Sequence, residues 1–183
     1  MNTNIIIPSG IAEMLRHHFF QNELEQGAFL FAEPKRADGE FSLVVTDHYL
    51  VPSSGWEVQA EIYLQMKDAE RAKIMKMARD KNLCTIDCHS HPHASDDVWF
   101  SPSDVAGITE FAQYAKWKLG AKPFAAMVWG ERSVDAVLWQ EAFLEAQRVA
   151  EIKIIGDSNQ TLTPSGSWFR VPKGKHRFLL YEN

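Results

Sequence analysis

The sequence predicts an α/β fold in three layers, with helices packed on both sides of a central mixed sheet. Two patterns predict it. Apolar residues recur at spacings of three and four in three separate segments, and short runs rich in β-branched and aromatic residues lie between them. The length points the same way, since 183 residues suffice for one domain with a substantial core and are few for two. Hydrophobic residues make up 45% of the chain and charged residues 23%, as in an ordinary globular protein, and eleven Phe and six Trp supply bulk for the interior.

Taken in order, Ile5-Ile6-Ile7 stops at Pro8, too short for a signal-peptide core. Ser9 is placed to cap a first helix to about Phe20, with Ile11, Met14, Leu15, His18 and Phe19 on one face. Gly27 to Phe31 reads as a short buried strand ended by Pro34, and Phe41 to Val51 as a second ended by Pro52. Pro52-Ser-Ser-Gly55 is a loop signal, and residues 57–67 fit strand or helix equally. Asp68 is a good N-cap for a helix to about Lys81, followed by a strand over 83–88. Pro102 opens the next helix, whose core stripe is Val105, Ile108, Ala112, Ala115 and Leu119, and Gly120 closes it. Residues 124–129 and 133–139 form a hairpin turned at Gly130-Glu-Arg, and 149–155 is expected as an edge strand. The stretch 156–167 is linker-like, and the tail from Trp168 is basic and aromatic. The chain therefore divides into a domain over 1–155 and an extension over 156–183.

The formal net charge of −5 argues against a nucleic-acid binder, and no apolar run approaches a membrane span. Cys84 and Cys88 are the only two cysteines, which excludes a disulfide scaffold or a four-cysteine zinc ribbon; both read as small buried side chains of a strand. A cytoplasmic, soluble protein is expected.

Chemistry concentrates between Asp87 and Asp104. His89 and His91 stand two apart at the end of a strand, so alternation sends both imidazoles to one side, where they can converge on one ion. Nine residues separate His91 from Ser101, enough for the chain to fold back and bring Asp104 to the pair. Two imidazoles and one carboxylate leave a fourth position open, the arrangement of hydrolytic rather than structural zinc. Ser101-Pro102-Ser103-Asp104 is equally a good helix start, with Ser at the cap, Pro at N1 and an acid at N3. The two roles are compatible. Asp87 alternates onto the side of His89 and reads either as a partner orienting an imidazole or, more simply, as a polar residue at a sheet edge. His93 reads as a loop histidine, and Trp99 and Phe100 as packing for the loop.

These residues resemble the JAMM motif of the JAB1/MPN metalloprotease family: an upstream Glu, then His-x-His, a loop, and Ser-x-x-Asp. His89-Ser90-His91-Pro92 and Ser101-Pro102-Ser103-Asp104 match it. The resemblance covers residues 5 to 155 in element order and leaves out the tail. It implies the family's fold, which is cytidine-deaminase-like, and one Zn2+ per chain on His89, His91 and Asp104. It also implies an oxyanion-stabilising role for Ser101. Its upstream Glu is a general base at the start of the first strand of the motif; Glu25 fits best, Glu23 competes, and Glu33 lies too far along the strand.

The family mostly hydrolyses amide or isopeptide bonds after the C-terminus of ubiquitin or a ubiquitin-like protein. A compact member resembles deconjugating peptidases that work beside E1-like and E2-like enzymes, including those of antiphage systems. Here such partners would be separate chains. Two other readings stay open: a hydrolase releasing an amino acid or small group from a sulfur-carrier-type protein, and a non-catalytic MPN-type scaffold. Intact ligands argue against the scaffold. The two long helices argue against a cupin-like barrel as the source of the His-x-His pair. Short basic runs such as Arg170, Lys173, Lys175, His176 and Arg177 are usually a solvated edge rather than a partner site.

Overall fold

Alternation along the strands builds two cores on opposite faces of one sheet. The computed structural model describes residues 2–140 and 145–170. The chain runs β1 (Asn2–Pro8), α1 (Ser9–Phe19), β2 (Gly27–Ala37), β3 (Glu40–Leu50), β4 (Trp56–Gln59), β5 (Leu64–Met66), α2 (Asp68–Asp80) and β6 (Cys84–Ser90). It continues through α3 (Pro102–Leu119), β7 (Phe124–Trp129), β8 (Val134–Trp139), β9 (Gln147–Arg148), β10 (Glu151–Ile155) and β11 (Gln160–Leu162). Nine strands form a mixed sheet in the order β11-β10-β1-β3-β2-β6-β7-β8-β9, while β4 and β5 make a separate ribbon. The pairs β1–β10, β1–β3 and β6–β7 are parallel; the others are antiparallel. This is the expected α/β class with a mixed sheet.

On one face, Ala28, Leu30, Ile86, Cys88, Met127 and Leu138 meet Ala12, Leu15 and Phe19 of α1. On the other, Phe29, Phe31, Ala126, Val128 and Val137 meet Ile74, Met75 and Ala78 of α2 and Ile108, Phe111, Ala112 and Ala115 of α3. Adjacent residues of one strand thus enter different cores, as the period of two requires. Cys84 and Cys88 are both buried and unpaired, as their strand setting predicts.

Several local expectations need correction. The run around Ile5-Ile6-Ile7, to which the sequence assigns no element, is a strand, β1, lying between β10 and β3. Ser9 is the first residue of α1 rather than its cap: Pro8 takes that position with no side-chain cap bond, because β1 runs directly into the helix. Pro34 does not end β2. Pairing of β2 with β6 stops at Ala32, whereas pairing with β3 continues to Ala37, so Pro34 sits where the β6 edge is free and no ladder N–H is demanded of it. Residues 57–67 resolve into the β4–β5 ribbon. Lys67, not Asp68, caps α2; Asp68 and Glu70 fill the first turn, where the helix dipole favours acids. Strand β10 is interior, between β1 and β11. Part of the linker-like stretch is itself structured, since β11 closes that edge of the sheet. The basic residues 173–177 of the tail lie outside the described residues. Among the described residues, no helix is long and apolar enough to cross a membrane.

Candidate metal centre

Strand β6 delivers the first ligand candidate. Cys84, Ile86 and Cys88 face the α1 core, so Thr85, Asp87 and His89 face α2 and α3. β6 lies between β2 and β7, which corrects the reading of Asp87 as a sheet-edge residue. The strand runs through Ser90, and its backbone is fixed by Ser90 N donating to Gln26 O (3.0 Å) and by His91 N donating to Trp129 O (2.8 Å). The loop that follows is held against the β7–β8 turn: Glu131 N donates to Ala94 O and Arg132 N to Ser95 O, each at 3.0 Å. Gly130 permits this approach, because a Cβ there would stand 2.5 Å from Ala94 O.

The loop returns to α3 through a capping box. Asp104 N donates to Ser101 Oγ (3.2 Å) and Ser101 N donates to Asp104 Oδ2 (2.7 Å). Asp104 Oδ2 also lies 3.5 Å from His89 Nε2 and 3.4 Å from His91 Nε2. One carboxylate oxygen therefore serves the helix start and faces both imidazoles. The cap is therefore in place, and its geometry leaves Asp104 compatible with a ligand role.

Glu25 completes the cluster. Its Oε1 is 3.4 Å from His91 Nε2, and its side chain is only 7% exposed. The residue is anchored by its backbone, with Glu25 N donating to Ala60 O and Gln59 Nε2 donating to Glu25 O. Gly27 lets this strand start fit beneath the β4–β5 ribbon, since a Cβ there would meet the Trp56 ring at 2.5 Å. Glu23 is exposed, and Glu33 pairs with Lys35 on the exposed part of β2. Of the three glutamates weighed from sequence, Glu25 alone stands at the histidines.

The electrostatics are those of a site with more negative than positive partners. Burial pushes the Glu25 carboxyl up to about 7, against the pull of His89. Burial likewise raises Asp87 to about 6, with His89 and Arg71 opposing it. For His89, burial works against the imidazolium, but Asp104, Glu25 and Asp87 together outweigh it and lift it to about 9. Asp104 is pushed up by burial and held below the usual carboxylate range by His89 and His91. Protons gather on His89 because carboxylates crowd it. A bound cation would meet the same demand.

The donor set suits such a cation. His89, His91 and Asp104 each offer one ligand atom, all within 4.8 Å of one another. His89 Nε2 is buried and makes no hydrogen bond, facing only the Asp104 carboxylate at 3.5 Å, which leaves a polar atom aimed into the cluster without a close partner. Cavities of about 510 Å³ open on either side. One is bounded by His89, Asp104, Asp87, Phe111 and Trp56, the other by His91, Ser101, Trp99 and Ile62, and Glu25 borders both.

His93 is the expected loop residue, 3.7 Å from Glu61 on the surface. Phe100 packs inward, its ring 6.1 Å from that of His89, whereas Trp99 is 53% exposed and borders a cavity rather than packing the loop. The contact between Phe100 and His89 has no signature in residue spacing.

No family model matches the chain, and no curated protein matches it. Among solved structures it is similar to the solution structure of protein DSY2949 from Desulfitobacterium hafniense, with a TM-score of 0.52 and 15% identity. The match covers 84% of this chain and 95% of that one. At that identity the likeness shows a shared fold and leaves function to the site.

Proposed function

We propose that the protein is a zinc-dependent hydrolase of the JAMM type, cleaving the amide or isopeptide bond that follows the C-terminus of a ubiquitin-like protein. The carrying observation is the convergence of Glu25, His89, His91 and Asp104 from three separate segments of the chain. The separations of 3.4 and 3.5 Å between the two imidazoles and Asp104 suit a tetrahedral ion, because ligands on ~2.1 Å bonds stand roughly 3.4 Å apart. The placement of α1 on one face of the sheet and α2 and α3 on the other supports the three-layer fold that the motif implies.

When bound, zinc would polarise the scissile carbonyl and bring a water pKa to roughly 7. His89, His91 and Asp104 would hold the ion, with Asp104 fixed in turn by the Ser101 backbone. Glu25, buried with Oε1 3.4 Å from His91 Nε2, is placed where it would accept the proton of the attacking water and return it to the leaving nitrogen. Ser101 Oγ accepts from Asp104 N and shares a 2.8 Å contact with Ser103 Oγ. With Ser103 as donor, the Ser101 proton is free for the oxyanion developing on the scissile carbonyl. The extended, Gly-rich tail of a ubiquitin-like protein is a substrate slim enough for the cleft, and E1-like and E2-like enzymes would be its upstream partners.

Elemental analysis of the purified protein is expected to give about one zinc per chain, falling to background in His89→Ala. A ubiquitin-like protein carrying a C-terminal extension is expected to be cut by the zinc-loaded wild type only. Zinc-free protein with full cleavage activity would overturn the mechanism. Stoichiometric zinc with no cleavage of linear or isopeptide-linked substrates would keep the metal site and remove the substrate.

A further inference from the structure

The strap formed by residues 165–168 is built into the metal loop. Asp135 lies on β8, fully buried, on the face of the sheet that also carries His89. A buried carboxylate is expensive unless its oxygens are satisfied. No cation stands within ion-pair distance of Asp135 among the described residues; it accepts four hydrogen bonds instead. The donors are Ala136 N (2.8 Å), Gly166 N (2.9 Å), Ser167 N (2.7 Å) and Ser167 Oγ (2.5 Å).

The Ser167 hydroxyl has one proton, and Asp135 takes it. Its oxygen is then free to accept, and Phe100 N donates to it at 2.9 Å. Ser165 Oγ donates to Val98 O at 3.1 Å, so the loop is pinned on both sides of Trp99. The Trp168 ring packs edge-on against Phe100 at 5.2 Å, and Phe100 leans on His89. One residue further along, Ser101 starts the capping box that fixes Asp104. A continuous series of contacts therefore runs from Asp135 through Ser167 and the Phe100 backbone to two of the three ligand candidates.

We infer that Asp135 and Ser167 are positioning residues for the metal centre, holding Phe100 and the start of α3 at the separation from His89 that metal binding requires. The segment 165–168 then belongs to the metal-binding unit, although 165–167 read as linker and Trp168 as the start of the tail. The inference rests on the metal-site reading and is independent of the substrate.

The test compares Ser167→Thr with Ser167→Val in the full chain. Both add the same bulk, and only Thr keeps the hydroxyl. The readouts are zinc affinity by chelator competition and the visible spectrum of the cobalt-substituted protein, with thermal melting measured alongside. Loss of a hydrogen bond made directly to a metal ligand typically weakens metal binding by about tenfold or more; Ser167 holds the residue beside the capping box instead, so a loss of up to about tenfold is expected. Ser167→Val is expected to show that loss and an altered cobalt spectrum, and Ser167→Thr to recover most of both. Should both variants fold poorly, Ser165→Ala removes only the contact with Val98 and is expected to weaken zinc binding about threefold, a fraction of the same effect. A control in the other core, Ile154→Val, is expected to lower the melting temperature without moving zinc affinity. Equal zinc affinity in the Thr and Val variants, with wild-type affinity in Ser165→Ala, would overturn the inference. Wild-type protein that binds no zinc would sink the metal site itself, a separate and recognisable result.

Discussion

The α1 side and the α2/α3 side of the sheet share the same strands and differ in what alternates onto them. On β6 the α1 side receives Cys84, Ile86 and Cys88, all fully buried among apolar neighbours. The opposite side receives Thr85, Asp87 and His89, followed past the strand end by His91. One face is closed by a single helix and contributes burial. The other is covered by two helices that part at the start of α3, and there the carboxylates and imidazoles collect around Glu25. The difference teaches that a central strand can supply stability and chemistry from alternate residues, provided the covering helices leave a gap on one side only.

Separate substitutions should break each side without the other. The largest effect is expected from Glu25→Gln, which removes the proposed base while keeping shape. Cleavage of a ubiquitin-like fusion should fall by roughly 10²–10⁴-fold, with zinc content unchanged. Steady-state kinetics beside elemental analysis checks this, and full activity would return attention to Glu23. On the α1 side, Ile86→Ala opens a cavity in the core. It should cost about 2–5 kcal/mol in denaturant unfolding while leaving one zinc per chain. A variant that lost both stability and metal would show that the two faces are coupled through β6.

The smallest effect sharpens the comparison through pH. His89 is raised from 6.5 to about 9 in the metal-free protein, so its stabilising contribution is complete below 6.5 and is lost as pH rises through about 9. Chelator-treated protein should therefore melt at progressively lower temperature between pH 7 and 9. Zinc-loaded protein should not, because the ion takes the proton's place. Parallel pH profiles with and without zinc would show that His89 does not carry the charge.

The site was largely legible because most of it is local. His89 and His91 are two apart on a strand, and Ser101 and Asp104 are three apart at a helix start, so short-range geometry decides their directions. Glu25 required the motif, since only the antiparallel pairing of β2 with β6, with Gly27 opposite His89, brings it there. The two ends of the intervening loop are anchored in different ways. Residues 91–95 rest on the neighbouring β7–β8 turn, while Val98 and Phe100 are held by serines 67 positions away. Contacts of that separation leave no periodic trace. Asp135 was hidden for the same reason: in sequence it is one polar residue in a hairpin strand. Pro34 misled because its tolerance depends on which edge of β2 is free, a property of topology rather than of the residue.

Asp104 also bears on how a substrate trap should be made. The same oxygen that faces the imidazoles receives the N–H of Ser101, so its removal would take away a candidate metal ligand and fray the first turn of α3 together. A phenotype from Asp104→Ala would mix two causes. Glu25 holds no helix and is anchored through its backbone, so Glu25→Gln is the cleaner inactivated form for capturing whatever the cleft binds.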